Sequence, residues 1–134
     1  MKKENTIGPT LSDRLERLQR RAAKMVLRDR GVDDPVSQLG WDRLITRRKQ
    51  HLCVYVHKCI LGIIPKELSI PMAKSDHAHN TRNKDLLMLP KVRTEFGRKA
   101  LCFQGPKAYN ELPTRTKELK CICSFKEQIR TVVS

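Results

Sequence analysis

Acidic side chains are scarce in this chain: 14 Asp and Glu stand against 28 Lys and Arg, leaving a net charge of +14 over 134 residues. With so few acids there are no paired carboxylates in an apolar setting, the arrangement that acid–base hydrolysis relies on. The six glycines never gather into a loop that could cradle phosphates, so no nucleotide-hydrolase motif is present. No stretch reaches the roughly 18 uninterrupted apolar residues of a membrane span, and the lysines of Met1-Lys2-Lys3 have no apolar run behind them. A chain neither secreted nor membrane-spanning is therefore expected. Five cysteines, an odd number placed at 53, 59, 102, 121 and 123, contain no Cys-x2-Cys knuckle. Thiols in a reducing nucleus or cytoplasm fit better than a disulfide framework. There is neither internal repeat nor low-complexity tract.

What is present is a basic, helix-patterned chain. Hydrophobic residues make up 39% and charged residues 31%, enough apolar material for one modest core but not a rich one. Residues 1–9 end in Gly8-Pro9 and read as a flexible lead. Thr10 or Ser12, followed by Asp13, supplies a helix start. Leu11, Leu15, Leu18, Ala22 and Met25 then recur at spacings of four and three, the period of one helix face. A second stripe, Arg14, Arg17, Arg21, Lys24 and Arg28, runs beside it, displaced by about 100°. The expectation is a core-facing seam with a cationic edge, the helix ending at Gly31.

Asp34 before Pro35 opens a short second helix. Asp42 to Leu61 forms the third, basic at Arg47 and Arg48 and almost wholly apolar from Leu52, with Gly62 as its stop. The core is expected to rest on Leu15, Leu18, Leu52, Tyr55, Val56 and Ile60. Residues 10–71 read as a basic helical core and residues 72–85 as a mobile loop carrying two histidines. Residues 86–134 read as an extended arm plus C-terminal helices, with a short extended or β-hairpin piece around residues 86–96. Gly105-Pro106 should interrupt the helix there, and Ser124 to Glu127 forms a capping box for a last helix to about Val133. The fold class is mainly α, a small helical domain.

Few residues invite chemistry. Val32-Asp33-Asp34 resembles a polymerase carboxylate pair, but Pro35 follows at once and no apolar strands flank it, so helix capping is the expected role. His51, Cys53, His57 and Cys59 are of zinc-binding type, yet residues two apart on a helix face away from each other. His77, His79, Cys121 and Cys123 would form a second cluster only if the fold joined them. No metal and no cofactor is expected, and no catalytic group. Around Gly97 and Gly105 the chain looks basic and loop-forming, with Arg98 and Lys99 available to phosphates. The cationic stripe is interrupted only by Asp13 and Glu16, whereas an ordinary solvated face mixes signs. Nucleic acid is thus the expected partner, held at Arg14, Arg17, Arg21, Lys24, Arg28, Arg47, Arg48, Arg98 and Lys99.

Several blocks in order resemble one family. They are Leu18-Gln19-Arg20-Arg21-Ala22-Ala23-Lys24-Met25-Val26-Leu27; Leu39-Gly40-Trp41 followed by Arg47-Arg48; Tyr55-Val56-His57-Lys58-Cys59-Ile60-Leu61-Gly62; Ile64-Pro65 with Leu68; Arg93 to Lys99; Gly105 to Pro113; and Ser124-Phe125-Lys126. Together they resemble the region beyond the reverse-transcriptase core in LINE-type non-LTR retrotransposons, particularly the jockey-like and chicken-repeat-like elements, the match covering about residues 11–133. Tyr109 stands where that family usually has tryptophan, and Asp42-Arg43 replaces its Leu-Pro. The resemblance implies the C-terminal tail of an RNA-directed DNA polymerase, from an intact element or a decayed fragment. None of the catalytic carboxylates falls on this chain, and the remainder of the reverse transcriptase becomes an expected partner. Two other readings compete: a stand-alone helical DNA-binding regulator, disfavoured because base-reading Asn and Gln are few, and a structural interaction module exposing an apolar patch.

Overall fold

The computed structural model describes residues 10–29, 31–70 and 86–133. The expected flexible lead and the histidine-bearing loop lie outside them. Helix α1 (Leu11–Leu27) starts at Thr10, whose hydroxyl accepts from the Asp13 N–H at 3.3 Å while the Asp13 carboxylate accepts from the Thr10 N–H at 2.9 Å. This reciprocal pairing satisfies donors that an open helix end would leave bare. The helix stops earlier than Gly31. Arg28 takes the left-handed conformation, φ 53°, and Gly31 instead donates its N–H to the Asp29 carboxylate.

Helix α2 (Pro35–Gln38) begins with proline at its first position, Ser37 donating to the Asp34 carboxylate at 2.7 Å. Helix α3 (Leu44–Ile60) ends where expected: Gly62, at φ 69°, donates to the Cys59 carbonyl and Ile63 to the Lys58 carbonyl. That pair of bonds is the Schellman closure, and its left-handed residue costs glycine nothing. A single 3-10 turn, Lys66–Leu68, follows, its Leu68 carbonyl accepting from the Tyr55 hydroxyl.

Helices α4 (Glu95–Lys99), α5 (Leu101–Asn110), α6 (Thr114–Lys117) and α7 (Ile122–Val132) complete seven α-helices, and no strand occurs among the described residues. The fold is mainly α. The hairpin alternative for residues 86–96 is absent, and Glu95 and Phe96 already belong to α4. Asn110 explains part of this: its side-chain amide accepts from the Leu87 N–H and donates to the Leu87 carbonyl, both at 2.9 Å. Gly105-Pro106 does not break α5 either, since the break falls at Ala100, which is extended at φ −65°, ψ 148°. Ser124 lies inside the first turn of α7 rather than capping it, that position belonging to Cys121.

The chain divides into two compact units, Met1–Arg48 and Lys49–Ser134, the division falling within α3. The second unit holds a core of Cys53, Val56, Leu87, Ala108, Tyr109, Leu112, Phe125 and Ile129, with Leu52 and Ile60 partly buried against it. At its centre the His57 ring stacks on Phe125, centroids 3.8 Å apart and planes within 2°. His57 Nε2 lies 2.7 Å from the Leu119 carbonyl, which can only accept, so Nε2 carries the proton. Nδ1 is then left to accept from the Tyr109 hydroxyl at 3.0 Å. Burial pushes that hydroxyl up to about 12, assisted by Cys53. Burial likewise lowers the His57 pKa below the ordinary 6.5, against a weaker upward pull from the Leu119 carbonyl.

Among the described residues the first unit buries little: Ala23, Pro35 and Val36. Here the expected core seam is corrected. Leu11, Leu18 and Met25 are 77%, 58% and 79% exposed, and Leu15 is exposed as well. The inward face of α1 instead carries Ser12, Glu16, Gln19 and Ala23, spaced four, three and four apart.

Two outcomes are expected. A Cβ at residue 105 would sit 2.9 Å from Val56 Cγ2, so Gly105→Ala should destabilise the second unit by about 1–3 kcal/mol despite alanine's helix preference, and should cost less in a Val56→Ala background. Urea midpoints of the single and double variants check this. In the unfolded chain His57 titrates near 6.5 and in the folded chain lower; between those values only the unfolded chain binds the proton. Stability should therefore be full above pH 6.5 and fall as pH drops below it. Asp13 and Asp34, both held below 3.8 chiefly by hydroxyl donors, Thr10 and Ser37, act only at lower pH. A urea midpoint that falls from pH 7 to pH 5 in the native chain, but not in His57→Leu, is the expected measurement.

Candidate nucleic-acid interface

In the first unit α1 and the start of α3 are joined by polar side chains. Glu16 accepts from the Ile45 N–H at 2.9 Å, supplying the start of α3 with the acceptor that an N-cap residue would otherwise provide. Gln19 donates to the Asp42 carbonyl at 2.9 Å, and Arg48 donates to the Ser12 hydroxyl at 3.4 Å. These bonds fix which side of α1 turns inward and so which side carries charge outward.

Arg14, Arg17, Arg21 and Arg28 are exposed, and Lys24 is half-buried. Arg14, Arg17, Arg21 and Lys24 share one helix edge; Arg28 stands at the left-handed C-cap, just past the last turn. From Arg14 to Arg28 the edge runs about 20 Å at about 1.5 Å per residue. Arg14, Arg17, Arg21 and Arg28 make no ion pair among the described residues, Arg17 lying only within Coulombic reach of Asp13. The acids that might have neutralised the edge are engaged elsewhere: Asp13 by Thr10, Glu16 by Ile45, Asp29 by Gly31 and Asp34 by Ser37.

Arg20 and Arg43 were missing from the sequence-derived set. Both help hold the exposed Asp34 carboxylate below its ordinary value, after the stronger effect of the Ser37 hydroxyl. Arg20 falls about 40° beyond Lys24 on the wheel at about 100° per residue, so the five-member stripe passes it by although it adjoins the same edge. Asp33 and Asp34 are exposed at the start of α2, where Asp34 holds the N-cap position but its carboxylate accepts from the Ser37 hydroxyl and makes no side-chain capping bond.

Arg47 and Arg48 lie in the first turns of α3, both exposed. Arg98 and Lys99 belong to the other unit, at the end of α4, where Arg98 stands 3.7 Å from the Glu95 carboxylate in an exposed pair of little energetic weight. The segment expected as a phosphate-touching loop is helical, with Gly97 donating to the Thr94 hydroxyl and Gly105 and Pro106 buried.

The zinc-type residues do not converge. Cys53 is buried, its thiol pushed up to about 11 by burial, and both ring nitrogens of His57 are engaged. Among the described residues no cluster of three metal-ligating side chains occurs. His77 and His79 lie outside them. Cys121, exposed at the start of α7, has its pKa lowered by the backbone N–H groups of Ser124 and Cys123. Comparison with protein families, with curated proteins and with solved structures finds no match.

Glu16→Ala should cost about 1 kcal/mol of local stability, the usual size of a lost helix cap. Hydrogen exchange at the Ile45 amide should then quicken about fivefold, with amides of the second unit's core unchanged.

Proposed function

We propose that this chain is a non-catalytic nucleic-acid-binding segment of a LINE-type reverse transcriptase, whose polymerase chemistry resides in the remainder of that enzyme. It holds RNA or DNA through phosphate contacts along the basic edge of α1, with Arg47 and Arg48 adjoining. The observation that carries this reading is the set Arg14, Arg17 and Arg21 on one edge of α1, with Arg28 at its C-cap: all exposed and without an ion-pair partner among the described residues, while the nearby acids bind N–H and hydroxyl donors. An ordinary solvated face would pair such charges with acids at three- and four-residue spacings. The order of sequence blocks from residue 18 to residue 126 supports the assignment to a reverse-transcriptase tail. Phosphate contacts position a strand without reading its bases, so little sequence preference is expected.

Each neutralised phosphate releases condensed counterion. For about five contacts the logarithm of affinity should fall against the logarithm of salt with a slope of about −3.5 on single strands and about −4.5 on duplex. Arg17→Gln with Arg21→Gln should flatten the slope by about 1–2 and weaken unrelated sequences alike. Titrations of labelled RNA and duplex DNA at several salt concentrations measure this. A folded chain that binds neither at low salt removes the reading; a slope untouched by the double replacement keeps the partner and rejects the helix. The purified chain should also show no metal-dependent primer extension.

A further inference from the structure

The outward side of α1 carries a feature that phosphate binding does not use. Leu11, Leu15, Leu18, Ala22 and Met25 follow at spacings of four, three, four and three, and all five are exposed. Spacings of this kind form the contact seam of a two-stranded coiled coil, in which each apolar side chain drops between four of a facing helix. Val26 widens the strip, and Ile45, exposed on the first turn of α3, is the residue whose own N–H α1 holds through Glu16. A monomer gains nothing from displaying such a strip to water, since burying one leucine contributes about 1.5–3 kcal/mol.

The borders of the strip are cationic. Arg14 and Arg21 immediately precede Leu15 and Ala22, the places from which a coiled-coil helix reaches across to its partner's charges. On the other side Arg48 is brought against α1 by its bond to the Ser12 hydroxyl. The opposite border positions of α1, Ser12, Gln19 and Val26, carry no acid. Asp13 and Glu16, the acids of this helix, are held by the Thr10 and Ile45 N–H groups.

A second copy of the chain therefore fits poorly. Packed antiparallel it sets arginine against arginine, and packed parallel it offers Arg14 and Arg21 only glutamine and valine. We propose that the Leu11–Met25 face of α1 docks an amphipathic helix of another protein segment whose apolar stripe is bordered by Asp and Glu. Charge selects that occupant and the leucines hold it. The leucine seam takes no part in nucleic-acid binding, but its borders Arg14 and Arg21 belong to both sites, so an acid-bordered helix and a phosphate strand compete for them.

The test uses the whole chain and three synthetic helical peptides of about three heptads. One has Leu along the seam and Glu on both borders, the second has Lys in place of Glu, and the third has the first peptide's composition with its leucines scrambled off the seam. Fluorescence anisotropy should show the Glu-bordered peptide binding at least tenfold more tightly than either other peptide. Leu15→Ser with Leu18→Ser, at exposed positions where circular dichroism should stay native, should weaken it at least tenfold and leave the nucleic-acid salt slope unchanged. Arg14→Glu with Arg21→Glu should reverse the preference toward the Lys-bordered peptide. Equal binding of the scrambled peptide would reduce the effect to bulk charge and overturn the proposal, as would indifference to the leucine replacements. Self-association in sedimentation, abolished by the same replacements, would give the face to a second copy instead. Loss of nucleic-acid binding alone would leave this proposal standing and remove only the function proposed above.

Discussion

A neutral imidazole organises the second unit. His57 comes from α3, its ring lies flat on Phe125 of α7, its Nδ1 takes the Tyr109 hydroxyl from α5, and its Nε2 reaches the carbonyl of Leu119 between α6 and α7. Three segments far apart in sequence thus meet on one side chain. A phenylalanine would keep the stacking but strand a hydroxyl and a carbonyl in a dry interior, a cost of about 1–3 kcal/mol for each unsatisfied group. A tryptophan at position 109, whose indole N–H is likewise a donor, would also serve the acceptor at Nδ1.

The two units are built on different physics. The second has an apolar core closed around a satisfied polar centre, with Lys49 and Glu111 paired at 2.6 Å in a half-exposed ion pair. The first is joined through Glu16, Gln19 and Ser12, whose bonds are directional but whose buried area is small. Directional bonds orient α1 without consuming its leucines. The result is a helix whose polar side faces the protein and whose apolar side faces outward, the reverse of the usual arrangement in a globular domain.

Much of this was legible in sequence. Capping at Thr10, proline at the start of α2 and the glycine closure of α3 were all readable because each depends on a local bond between near neighbours. The period of α1 was readable too, but not the face that packs: a repeat at spacings of three and four states that a helix is amphipathic, whereas the partner that claims a face is a tertiary fact. Gly105-Pro106 misled for a related reason. Proline's helix-breaking tendency is local, while the close approach of Val56 to Gly105 rewards continuing the helix and depends on a segment about fifty residues away. His57 stood out as a metal-type residue beside Cys53 and Cys59, and only the packing of α5 and α7 makes it a buried pivot. Arg20 escaped notice because it lies at the margin of the arginine edge rather than on its axis.

Leu86-Leu87-Met88-Leu89 is the most apolar non-helical stretch among the described residues, and short apolar segments of this kind pair readily with copies of themselves as strands. Such pairing needs free backbone groups. By holding both the N–H and the carbonyl of Leu87, the Asn110 amide occupies the backbone groups that this residue would offer to a neighbouring strand on that edge, and the Leu87 side chain is buried. Pro90 then removes the next donor but two. One side-chain amide at the end of α5 thus closes one edge of this apolar segment, at Leu87, to strand pairing.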